Sequence, residues 1–242
     1  MSDELHQLIA QVLLPTELDS AHFEIAAALD PATDVGGDYY DVIHIDDVCW
    51  LAIGDVAGSG MRTALITLMA QSVVAAAVRT APASEPSAVL AGVNRALWSN
   101  IRERLHSDEH MTATLLRCGP DGRVRFAGAH EDLIVARAAG GPIETIETFG
   151  TWLGAISDVS RKNPDHDLVL AHGDVLVLFT DGLTEARDAA REQFGLARLT
   201  AIVDAHRAAP VREIRDAIFA AVGAWGPQVD DITVVVARYR AT

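Results

Sequence analysis

Apolar positions along this chain recur at two spacings, and the change from one to the other marks out its elements. Phe23–Leu29, Asp38–Ile45 and Val48–Asp55 are short runs rich in Ile, Val, Leu and aromatics, the composition of half-buried or buried strands. Asp46-Asp47 reads as the hairpin turn between the second and third runs. From Met61 to about Thr80 the spacing becomes helical. A second helical run, about Ser87–Leu105, follows the breakers Pro82 and Pro86 and places Val89, Leu90, Val93, Leu97 and Ile101 on one face. Strand patterning returns in Met111–Cys118 and Arg123–Ala129, joined by the turn Gly119-Pro120-Asp121-Gly122. It continues in Leu133–Ala138, Ile143–Ile146, Leu168–Ala171 and Val175–Thr180. Residues Gly154–Asp167 read as an irregular surface loop. Leu196–Ala208 and Val211–Trp225 are helical, and Ile232–Tyr239 is the last strand. At the N-terminus Leu5, Leu8, Ile9, Val12 and Leu13 predict an amphipathic helix over Asp3–Leu14, ended by Pro15.

Strands in hairpins with helices in pairs imply antiparallel sheets in a layered α+β domain rather than alternating βαβ units. We divide the chain into an N-terminal helix or linker (1–15) and one domain (16–242). A length of 242 residues suits that division, and half of them are hydrophobic, enough for a substantial core.

A formal charge of -15 argues against a nucleic-acid surface and against binding to anionic membranes. Cys49 and Cys118 lie in apolar runs without a CxxC, which predicts buried thiols rather than a disulfide framework. No charged n-region and apolar h-region open the chain, and no run reads as long enough to span a membrane, so a cytoplasmic location is expected.

The candidate chemistry is acidic. Val48–Ile53 leads into Gly54-Asp55-Val56-Ala57-Gly58-Ser59-Gly60 and then a helix, so Asp55 stands at a strand mouth beside a turn. Gly36-Gly37-Asp38, Thr180-Asp181-Gly182 and Asp230-Asp231-Ile232-Thr233 stand at similar edges. Carboxylate oxygens are hard donors suited to Mg²⁺, Mn²⁺ or Ca²⁺. Two such ions about 3.5–4 Å apart can share a carboxylate and activate a water. No HExxH helix, GxSxG elbow or Walker A lysine competes. The histidines lack metal-ligand spacing and read as surface or core residues. Each acidic motif alone also has an ordinary reading: a bulge for Gly-Gly-Asp, a turn or N-cap for Asp181, a solvated loop for Asp230-Asp231.

Taken in order, VGGDYYD (Val35–Asp41), GDVAGSG (Gly54–Gly60), LFTDGLTEARD (Leu178–Asp188) and DDITVVVARY (Asp230–Tyr239) resemble the PPM-type (2C-like) metal-dependent serine/threonine phosphatases, in their bacterial SpoIIE/RsbU-like branch. AGAH (Ala127–His130), HGD (His172–Asp174) and LLPTELDS (Leu13–Ser20) fit the same branch, so the resemblance runs from about Leu13 to Tyr239. It implies a central β-sandwich of two antiparallel sheets flanked by helical pairs, with two Mn²⁺ or Mg²⁺ ions at one end. Asp55 would bridge the ions, Asp38 and the Val56 carbonyl would serve one, and Asp181 and Asp231 the other. Asp231 is preferred over Asp230 because it directly precedes Ile232-Thr233. A metal-bound water would attack phosphorus with no phosphoenzyme.

The implied substrate is phosphoserine or phosphothreonine on a regulatory protein, typically a STAS-type anti-sigma-factor antagonist. A homodimer through the first helix is a further option. One position departs from the branch: Ser59 stands where His is common, leaving a small residue and a potential cap for the helix at Met61. Arg62 lies near the mouth of the site by sequence but reads as a solvated helix residue. The alternatives are a catalytically weak docking module of the same fold, a Ca²⁺- or Mg²⁺-stabilised structural domain, and a hydrolase of nucleotides or small phosphoesters.

Overall fold

A buried strand shows its two faces in sequence as alternate residues going to different partners, and the third strand does this throughout. Cys49, Leu51 and Ile53 enter one core, while Trp50, Ala52 and Val56 enter another. Both faces are covered, which is why the run is continuously apolar. The structure, a computed structural model, describes residues 19–32 and 36–241; the helix expected over Asp3–Leu14 and the domain boundary at residue 15 lie outside them.

In the first half of the chain come β1 (Phe23–Asp30), β2 (Asp38–Ile45), β3 (Val48–Val56), α1 (Met61–Thr80), α2 (Pro86–Trp98), β4 (Met111–Cys118) and β5 (Arg123–Ala129). Then come β6 (Leu133–Ala136), β7 (Glu144–Ile146), β8 (His166–Val169), β9 (Val175–Phe179) and the single turn α3 (Asp181–Thr184). The chain finishes with α4 (Gly195–His206), α5 (Val211–Trp225) and β10 (Ile232–Tyr239). The strands form two five-stranded sheets, ordered β1-β10-β9-β6-β7 and β2-β3-β4-β5-β8, and every pairing is antiparallel.

The sheets pack face to face through Phe23, Leu51, Phe126, Leu178 and Tyr239 among others. Ile66, Ala70, Val74 and Val78 repeat every fourth residue of α1 and face the second sheet with α2. Val211, Ile214, Ile218 and Val222 do the same from α5 on the first sheet. The expected α+β sandwich with flanking helical pairs is therefore the fold found.

Four local expectations change. The second helical run is α-helical only to Trp98 and continues over Ser99–Arg104 as wider π-helical turns, with Leu105 N–H donating to Asn100 O at 2.9 Å. The strand expected over Leu168–Ala171 runs instead over His166–Val169, and it joins a different sheet from its successor: β8 pairs with β5 in one sheet and β9 with β6 and β10 in the other. Buried Asp174 makes that corner, accepting from Arg137 Nη1 (2.8 Å), Ala138 N (2.8 Å) and Ala171 N (2.9 Å).

Residues 154–167 are not a loose insertion. Val159 and Asn163 are buried, and buried Asn94 ties this segment to α2 by accepting from Gly154 N (2.8 Å) and donating to Ile156 O (3.0 Å). Finally, α1 is long and apolar enough by length and composition to cross a membrane, with a mean hydropathy of 1.5, contrary to the sequence expectation. Here its apolar face is spent on the sheet.

Candidate active site

The register of the β2–β3 hairpin sets Asp38 directly opposite Asp55. The other two predicted acids arrive from the opposing sheet, Asp181 at the start of α3, separated from β9 by Thr180, and Asp231 immediately before β10. Hydrogen bonds cross between the sheets at this end. Thr180 Oγ1 and Thr233 Oγ1 both donate to Asp38 Oδ2, at 2.8 and 2.6 Å. Thr233 N–H donates to Thr180 Oγ1 at 2.9 Å, which commits that hydroxyl's proton to Asp38. Asp231 Oδ1 accepts from Ala32 N at 2.8 Å and its Oδ2 from Asp38 N at 3.4 Å. Asp230 turns its Oδ1 back to the Asp231 N–H at 2.9 Å.

Close approach explains the glycines beside these acids. A Cβ on Gly37 would lie 2.6 Å from the Val56 carbonyl oxygen and 2.7 Å from Asp55 Oδ1. Cβ atoms on Gly36 and Gly182 would collide with the side chain and the carbonyl of Asp231, respectively. After β3 the chain turns at Gly58 and Gly60, with φ of 114° and 85°, a region that favours glycine. Gly60 is the N-cap of α1 and no side chain caps the helix, so the capping role anticipated for Ser59 is not realised; Ser59 is exposed.

Burial and like charge dominate the electrostatics. Burial pushes the Asp38 carboxyl up to about 8 against the two threonine hydrogen bonds, and Asp55 and Asp231 add to the rise. Asp55 is raised to about 7 by burial, then by Asp181, Asp230 and Asp231. Asp181 is raised by burial, then by Asp230 and Glu185. Among the described residues, the charged groups that act most strongly on these three acids are carboxylates. Arg62 is exposed and pairs with Glu109 at 3.2 Å. Among the described residues, no group of three or more His, Cys, Asp or Glu side chains stands close enough together, as placed, to hold a metal ion. The chemistry of the donors nonetheless suits hard divalent cations: Asp55 Oδ1 and the Val56 carbonyl oxygen share the space that a Cβ on Gly37 would fill, and the charges that add to burial in raising Asp55 are other carboxylates.

A cleft of about 420 Å³ opens beside Asp55 and Asp181. Its floor includes Thr112 and His130, which share a hydrogen bond at 2.9 Å between Thr112 Oγ1 and His130 Nδ1. Burial pushes His130 down to about 4, so its ring is neutral near neutral pH. Sequence reasoning gave His130, Thr112, Thr180 and Thr233 no roles. Two signals were present, since Thr180 and Thr233 flank the acids within their motifs and His130 closes the AGAH segment; Thr112 had none.

A family model described as Stage II sporulation protein E (SpoIIE) matches residues 46–240, a span that holds Asp55, Asp181 and Asp231 but not Asp38. The chain is 29% identical over 191 residues to Phosphoserine phosphatase RsbU of Bacillus subtilis (strain 168), covering 76% of this chain and 53% of that protein. It therefore spans about half the length of that relative. The SiaA-PP2C domain of Pseudomonas aeruginosa superposes with a TM-score of 0.80 at 24% identity, covering 98% of this chain and 94% of that one. RsbX in complex with magnesium superposes with a TM-score of 0.66 at 14% identity, covering 91% and 97%. Likeness at these identities concerns the fold.

Proposed function

The chain belongs to the SpoIIE family of PPM-type phosphatases, and from that premise we propose that it is a metal-dependent phosphatase of phosphoserine or phosphothreonine on a regulatory protein. The observation that supports the reading is that Asp38 and Asp55 of one sheet and Asp181 and Asp231 of the other lie at the same end of the sandwich, where, beyond burial, Asp55 and Asp231 raise the Asp38 carboxyl, and Asp181 and Asp231 raise that of Asp55. In this reading Asp55 would serve both of two divalent ions, Asp38 and the Val56 carbonyl would serve one, and Asp181 and Asp231 would serve the other. Bound Mn²⁺ or Mg²⁺ would supply the charge that activates the attacking water and neutralises the phosphoryl oxygens.

This chain's own residues do the positioning. The hydroxyls of Thr180 and Thr233 hold Asp38 Oδ2 and leave Oδ1 for a ligand. The backbone amides of Ala32 and Asp38 fix both oxygens of Asp231, each with a lone pair to spare. Gly36, Gly37 and Gly182 keep the space clear.

The name of RsbU as a phosphoserine phosphatase and the magnesium bound to RsbX are properties of those proteins that support the reading. The partner it favours is a phosphorylated STAS-type anti-sigma-factor antagonist in the cytoplasm, with the enzyme acting alone or as a homodimer.

The test is hydrolysis of an aryl phosphate and a phosphoserine peptide with Mn²⁺, Mg²⁺ or EDTA, beside Asp55→Asn and Asp181→Asn. We expect turnover that needs the metal and falls by at least about 100-fold in each variant. No turnover with either metal in folded protein refutes the proposal.

A further inference from the structure

One wall of the cleft is built with more care than a surface segment needs. Residues 148–153 are fastened at three points. Thr148 Oγ1 donates to His130 O at 2.6 Å and accepts from His130 N at 2.9 Å. The amide of buried Asn163 grips Thr151, accepting from its N–H at 2.6 Å and donating to its carbonyl at 3.2 Å. Leu153 exchanges two backbone hydrogen bonds with Met111, at 2.8 and 2.9 Å. Gly150 is needed here, since a Cβ would meet the Asn163 amide.

Between these fastenings stand the two most exposed aromatic rings of the described residues, Phe149 at 48% and Trp152 at 50%. Both line the cleft. Trp152 is stacked on His110, with ring centroids 4.7 Å apart and planes 10° apart, so its orientation is fixed. The charged residues lining the same cleft are Asp55, Glu131 and Asp181, and none is basic. Glu131 is not among the acids assigned to metal.

Resting on the phosphatase reading, we propose that this wall selects protein substrates carrying Arg or Lys beside the phosphoresidue, with the cation lying on Trp152 and neutralised by Glu131. An indole face held rigid attracts a guanidinium or ammonium group through its quadrupole. A carboxylate in the same cleft, with no basic residue to pair with it there, is the complementary charge. Asp55 and Asp181 would be balanced by metal, whereas Glu131 would not. A neutral apolar flank would cover the rings but leave Glu131 desolvated and unpaired, so the charge pattern favours the cation.

The test uses three phosphoserine peptides that differ only at the residues flanking the phosphoserine, which are Arg, Leu or Gly. They are assayed with Mn²⁺ in wild type, Trp152→Leu, Trp152→Phe and Glu131→Gln. Wild type should favour the Arg peptide over the Gly peptide by about tenfold in kcat/KM, carried by KM. Trp152→Leu and Glu131→Gln should each bring that ratio towards one, and Trp152→Phe should keep part of it. Added salt should shrink the preference. Equal turnover of all three peptides by wild type, or a preference for Leu, overturns this inference and leaves the phosphatase reading standing. No turnover of any peptide refutes the phosphatase reading and this inference with it.

Discussion

Replacing Asp38 by Asn in metal-free protein should change the slope of stability against pH as well as its level. Asp38 is 4% exposed, and burial lifts its carboxyl from 3.8 to about 8. The native state therefore keeps the proton until about pH 8, while the unfolded chain releases it near pH 4. The resulting stability is fully present below the unfolded value and is lost as pH rises through the native one. Each pH unit between them costs about 1.4 kcal/mol. From about pH 5 to about pH 7 wild type should lose about 3 kcal/mol relative to Asp38→Asn, or about 6–12 °C in Tm for a chain of this size. The Asn oxygen can still accept from Thr180 and Thr233, so little else changes. Buried His130, held down to about 4, pulls the other way in both proteins and cancels in the difference. The assay is calorimetric melting of both proteins in EDTA at three pH values across that range. Parallel Tm curves would refute the reasoning. Added Mn²⁺ should raise and flatten the wild-type curve more than that of the variant.

Gly37→Ala should abolish metal-dependent turnover and lower Tm, because its methyl group meets the Val56 carbonyl and Asp55; unchanged activity would show that the space is not needed. Ser59→Ala should stay within about 0.5 kcal/mol of wild type by denaturant titration, since the exposed serine caps nothing. Asp174→Ala should cost about 3 kcal/mol in the same titration, because three donors, one of them the Arg137 guanidinium, lose their shared acceptor. Phe179→Ala should cost about 3–5 kcal/mol, as its buried ring fills the core under α5.

Most of the strands and helices were legible because burial on one or two faces writes a period into the chain. β3 and α1 show it most plainly, one alternating by two and the other repeating by four. The same logic explains the misses. Period says that a run is a strand without saying which sheet it joins, so nothing in the runs of β8 and β9 tells that a buried Asp174 corner sends them to different sheets. Polarity marked residues 154–167 as loop but could not reveal that Asn94 and Asn163 bind them down. At the site, the four acids were visible because each sits at a strand edge in a recognisable motif. Thr112 and the fastened wall at 148–153 were not, since their roles depend on neighbours far away in sequence. Ser59 had the residue type of a potential cap, but the position that caps α1 is set by the backbone turn at Gly60, which residue type does not reveal.

The threonine hydroxyls that reach from β9 and β10 across to Asp38 have a consequence for the life of the chain before it is finished. Asp38 and Asp55 come from β2 and β3, early in the fold, whereas Asp181 and Asp231 adjoin β9 and β10, more than a hundred residues further along the chain. In the proposed reading neither pair alone would hold two ions, so the centre would assemble only when β10 docks beside β9. On that reading folding would carry an interlock: a half-docked chain would be silent, and metal affinity would itself report that the two sheets have closed.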